Sequence, residues 1–149
     1  MKILTKLSIS VFFIFSTFFA SSATMAQNTA GSTVVRPVDY KPKAGDLSAG
    51  EKLFFDKKLS TNGMSCATCH ANNASFLDSF AKPYPHQVAM ANDALQIKTI
   101  YLDEMIQACL IMPMQAQPLP WSSDELADLT SYMTEIQKTF KSKNHSLTQ

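Results

Sequence analysis

Apolar residues fall into helical rather than alternating patterns along most of this chain. At 102–111, Leu102, Met105, Ile106, Cys109 and Leu110 share one face, and Asp103 and Glu104 suit the first turn of a helix. Farther on, Leu126, Leu129, Met133, Ile136 and Phe140 recur at three and four residues. Ser122 and Glu125 are placed as a capping box ahead of them. An earlier helix is expected over SAGEKLFFDKKL (48–59), with Ser48 and Glu51 as its capping pair and Leu53, Phe54 and Phe55 as its stripe. STNGMS, AKPYPHQ and MPMQAQPLPW carry the glycine and prolines that break helices and are expected to be loops. No alternating run is long enough to predict a strand, so the fold class is all-α.

The two ends pattern differently. Lys2 and Lys6 precede an apolar run from Leu7 to Ala20, and small residues follow up to Ala26. That run is shorter than the roughly 17 residues a membrane span requires, so residues 1–26 are expected to be a cleaved export signal. Residues 27–47, with Pro37 and Pro42, lack core periodicity and are expected to lie as an arm extended along the domain. Residues 48–140 form the domain, and 141–149 a polar tail. About 120 residues without the signal suit one small domain. The formal charge of +1 over 149 residues offers no basic stripe for nucleic acid, and no second apolar run offers a membrane span.

The chemistry concentrates in Cys66-Ala67-Thr68-Cys69-His70. Two thiols three positions apart can add across the two vinyl groups of a haem, and the adjacent histidine then falls under the iron as its proximal ligand. A Cys66–Cys69 disulfide is one competing reading. Half of a zinc site is another, but zinc needs a second ligand pair and only one further cysteine, Cys109, exists. An exporting compartment suits both haem attachment and disulfides.

With this motif in a helical context, residues 48–140 resemble the small, single-haem c-type cytochromes. The resemblance implies a class I-like cytochrome c fold, with three to four helices around one covalent, iron-containing haem c. It also implies an N-terminal helix crossing a C-terminal one, where Gly50, Phe54, Leu129 and Tyr132 match the small and aromatic positions. Phe54, Phe55, Leu102, Ile106, Leu119, Trp121, Leu129 and Tyr132 are then candidates for pocket and core. Trp121 is a candidate neighbour of a propionate. The implied function is periplasmic electron transfer with a redox partner protein, which Lys52, Lys57, Lys58 and Lys82 would steer; a solvated helix face is the plainer role for those lysines.

The distal ligand stays open. His86, Met90, Met105 and Met133 are weaker candidates than Met112, Met114 and Cys109. Met112 and Met114 flank Pro113 ahead of the last helix, like the distal methionine of ordinary cytochromes c. The stretch from Ile106 to Pro120 is similar to a segment of thiosulfate dehydrogenase and the Sox-type cytochromes. That resemblance makes Cys109 an iron ligand, with Met114 five residues on, and implies as an alternative a haem subunit of a thiosulfate-oxidising system. Leu110, Ile111 and Met112 stand where that family has arginines, which leaves an anionic substrate little to hold it. LFFDKKLS (53–60) also resembles the opening of di-haem cytochrome c peroxidases, but the single attachment motif does not support peroxide chemistry.

Overall fold

The computed structural model describes residues 34–141. The expected signal and all but the first residue of the expected tail lie outside them. Among the described residues there are five α-helices: α1 (Leu47–Phe55), α2 (Cys66–His70), α3 (Ala89–Leu95), α4 (Leu102–Ile111) and α5 (Asp124–Thr139). Short 3-10 turns join them, and the only β-pairing among the described residues is an isolated bridge between His86 and Ile100. The all-α expectation holds, with five helices where three to four were expected because α2 and α3 are too short to print a period. No helix among the described residues is long and apolar enough to cross a membrane.

The frame is the crossing of α1 over α5. A Cβ added at Gly50 would lie 2.2 Å from the Asp128 carbonyl oxygen, so only glycine lets the two backbones come this close. Phe54 then packs edge-on against Tyr132, ring centroids 5.4 Å apart, and Leu126 and Leu129 are fully buried beneath. The small and aromatic positions expected at this crossing therefore meet.

Helix caps differ from expectation by a residue or two, and the first helix ends four residues early. Asp46, not Ser48, caps α1: its carboxylate accepts from the Ala49 N–H at 2.7 Å, and its own N–H donates to Asp128 of α5 at 2.7 Å. The long-range bond to α5 decides between neighbouring cap residues. α1 stops at Phe55, because Asp56 is extended and its carboxylate instead caps a separate turn at 57–59. Ser123 rather than Ser122 caps α5, accepting from the Leu126 N–H at 3.2 Å. α4 begins and ends where its apolar spacing predicts.

The arm is part of the body. Val34 is 6% exposed and packs in a second apolar cluster with Val88, Ala91, Ile100 and Ala108. Arg36 pairs with buried Asp103, and the Gly45 N–H bonds the Ser131 hydroxyl at 2.9 Å. The packed domain thus starts before residue 48, because isolated apolar and charged residues of the arm find partners on α3, α4 and α5.

Candidate functional site

α2 is the attachment motif itself. Thr68 Oγ1 accepts from the Ser65 N–H at 2.9 Å and closes its first turn. After His70, Asn72, Asn73 and Ser75 all take positive φ, and the chain doubles back. This turn, natural for asparagine, brings the Ala74 carbonyl to 3.1 Å from His70 Nδ1. With Nδ1–H donating there, Nε2 is the nitrogen left for a metal. Phe76 lies face to face with the imidazole, centroids 4.1 Å apart, and stacks in turn on Phe80 at 4.0 Å. A ring stacked on the face leaves the in-plane lone pair free. Burial pulls the His70 pKa down, opposed by its bond to Ala74, which favours the neutral imidazole that ligates metals.

Beside this wall opens a cavity of about 410 Å³, within the range of roughly 300–1,000 Å³ typical of small-molecule and cofactor sites. Cys66, Cys69 and His70 line one side, and Cys109 of α4 also faces it. Nearly all other lining groups are apolar or aromatic, and none of the described lining residues is lysine, arginine, aspartate or glutamate. Burial pushes the Cys109 thiol up to about 12, with the charges of Cys66 and Cys69 adding to it; burial also pushes Cys66 up to about 11. All three cysteines are free thiols, so the disulfide reading finds no bond. Nor do any three His, Cys, Asp or Glu side chains among the described residues cluster closely enough to hold an ion alone, as the zinc reading requires. A large apolar space bordered by two thiols, a neutral imidazole and a third thiol suits the chemistry of a haem, whose ring is apolar and whose vinyl groups and iron take sulfur and nitrogen donors.

The sequence candidates separate clearly. Met90, Met105 and Met133 line the cavity alongside Cys109, whereas Met112 and Met114 do not. Met114 is 2% exposed within the main apolar core. Its loop is tied down by Asn62, whose amide donates to the Pro113 carbonyl at 2.7 Å, and by Thr61, which donates to the Gln115 carbonyl at 2.7 Å. His86 is also outside the lining; its Nδ1 bonds the Pro83 carbonyl at 3.2 Å. Of the pocket candidates, Leu102, Ile106 and Leu129 line the cavity. Phe54, Leu119, Trp121 and Tyr132 pack in the core instead, and Phe55 is more than half exposed. Trp121 meets Tyr40 of the arm edge-on at 5.2 Å rather than the cavity. None of Lys52, Lys57, Lys58 and Lys82 lines the cavity, and all four are exposed.

Sequence reasoning missed Phe76, Phe80 and Tyr84, which form much of the wall. They sit in turns without a period, and their aromatic spacing near His70 was the available signal.

A family model for the SoxA/TsdA cytochrome c domain matches residues 49–141, which include the attachment motif, Cys109, all of α2 to α5 and all but the first two residues of α1. No curated protein and no solved structure matches the chain. On that match, which spans more than half of its length, the chain belongs to the SoxA/TsdA cytochrome c domain family.

Proposed function

We propose that this protein is an exported carrier of single electrons, holding one haem c through thioether bonds at Cys66 and Cys69. His70 is the proximal ligand and Cys109 the distal one. Haem-based electron transfer is the chemistry of its domain family; the ligand set, the number of haems and the periplasmic location are specific to this proposal. The observation that carries it is the convergence of Cys66, Cys69, His70 and Cys109 on one apolar cavity.

When bound, the haem supplies a ferrous–ferric couple. The chain does the rest. Cys66 and Cys69 fix one edge of the ring, so the cofactor is not lost on a change of charge. The Ala74 carbonyl orients the His70 imidazole and holds its Nδ1 proton. Apolar walls exclude water and keep the local dielectric low, which reduces reorganisation on electron transfer. Burial favours the neutral Cys109 thiol. As a ligand to haem iron, Cys109 would be held as the thiolate, its proton passing to solvent, and its negative charge would lower the potential relative to a methionine thioether. The patterned segment at residues 1–26 supports export.

The family match also favours a second reading, a haem subunit of a sulfur-compound-oxidising system. Against direct thiosulfate chemistry stands the described cavity lining, which brings no cationic side chain to a dianion. Burying such a charge unpaired costs several kcal/mol, on the order of the desolvation penalty for any isolated ion. Spectroelectrochemical titration of the purified holoprotein, with and without thiosulfate, separates the two. The carrier reading predicts one reversible one-electron wave that thiosulfate leaves unchanged. Catalytic reduction of the haem by thiosulfate establishes the second reading instead.

A further inference from the structure

α4 has two functional faces. Leu102, Met105, Ile106 and Cys109 line the cavity. Asp103 and Gln107 are buried at 2% and 0% exposure but do not line it. At about 100° per residue, Asp103 and Gln107 lie about 40° apart on the helix, and Cys109 lies about 120° round from Asp103. The two buried polar residues thus form a seam turned away from the cavity.

Each member of that seam is held at two points. Arg36 of the arm donates from Nε to Asp103 Oδ1 at 2.9 Å and from Nη2 to Oδ2 at 3.1 Å. Its guanidinium also sits over the Tyr101 ring at 4.0 Å and the Tyr40 ring at 5.0 Å. The Gln107 amide donates to the Leu119 carbonyl at 2.6 Å and accepts from the Leu119 N–H at 2.8 Å. Apolar contacts let a helix rotate or slide at small cost, while paired hydrogen bonds with fixed direction do not. Buried ion pairs are weak evidence for stability, and their better-attested use is to specify register.

We infer that Arg36, acting through Asp103, and Gln107, gripping Leu119, are positioning residues that set the rotation of α4 and so the direction in which the Cys109 sulfur faces the cavity. The inference rests on Cys109 being the distal ligand. A side chain rides about 5 Å from the helix axis, so a rotation of about 20° moves the sulfur by nearly 2 Å. That exceeds the tolerance of about 0.5 Å within which a functional constellation has to be held. Arg36 lies outside the residues that match the family, so the arm adds this control to the shared domain.

The test uses purified full-chain ferric holoprotein and low-temperature electron paramagnetic resonance, at temperatures where circular dichroism shows each variant folded. Cys109→Ala abolishes the thiolate-type low-spin signal. Arg36→Met and Gln107→Met each lower the share of that signal at least twofold, and Arg36→Lys, which keeps the charge but not the two-point grip, falls between Arg36→Met and the wild type. Should Arg36→Met not fold, Asp103→Asn and Gln107→Met are judged by the same twofold criterion. If these variants melt earlier but keep the full thiolate share, the seam is merely structural and the inference is overturned. If Cys109→Ala leaves the wild-type signal unchanged, the ligand assignment itself fails, and the inference falls with it.

Discussion

At the α1–α5 crossing two backbones meet with no side chain between them at Gly50, whereas the chain at 71–88 borders a space that the protein's own atoms leave open. The crossing is built from two regular helices, each capped by a side-chain oxygen, and is complete without a cofactor. The segment 71–88 consists of 3-10 turns, left-handed residues and stacked aromatics, tied to α5 chiefly by Gln137. Phe76, Leu77, Phe80, Tyr84 and Val88 line the cavity, and of these Phe80 and Val88 are already buried in the two apolar clusters. One half of the domain thus supplies a scaffold, and the other half a wall that a bound haem would cover further.

The largest effect is expected from removing the cofactor's anchors. Cys66→Ala combined with Cys69→Ala should abolish covalent haem altogether, read as the loss of haem-staining signal on a denaturing gel. In that variant, stripped of any haem still held by His70 and Cys109, hydrogen exchange should find α1 and α5 protected and residues 71–88 exchanging much faster. Equal protection of both regions would break the comparison.

Next in size is Gly50→Ala. The new methyl group would overlap the Asp128 carbonyl, with 2.2 Å between them, and backbone cannot swing aside as a flexible side chain can. A loss of about 3 kcal/mol is expected in denaturant unfolding, the upper part of the usual range for overpacking. A smaller effect comes from Gln137→Leu. Its amide donates to the carbonyls of Phe80 and Lys82, both at 2.8 Å, so the change frees the wall segment from α5. About 1–2 kcal/mol should be lost, with faster exchange confined to 76–82. Least of all is Lys43→Ala. The Lys43–Asp124 ion pair sits beside the crossing but is exposed on both sides, and the unfolding midpoint should not move measurably.

The same contrast explains what could be read from the chain alone. α4 was legible to its end residues, because Leu102, Met105, Ile106 and Leu110 face apolar neighbours at helical spacing. The crossing was legible from Gly50, Phe54, Leu129 and Tyr132, and the attachment motif from five consecutive residues. α3 was not, since among its seven residues only Ala91 is buried. That the arm runs along the domain was expected, but its contacts were hidden: Arg36 finds Asp103 across 67 positions, and no local pattern announces such a pair. The placement of Cys109, Met112 and Met114 relative to the cavity was equally non-local: Thr61 and Asn62 bond their loop from more than 50 residues away, and Met114 is buried in the main core. Caps shifted by one or two residues for the same reason, as Asp46 shows by bonding both its own helix and α5.

Whether one haem is bonded through Cys66 and Cys69 is read straight from the intact mass of the exported, denatured protein. The predicted result is a mature chain heavier by one haem, with the added mass absent from the Cys66→Ala, Cys69→Ala double variant. A bare-chain mass for the wild-type protein, or a haem that acidified acetone extracts from it, would contradict the claim.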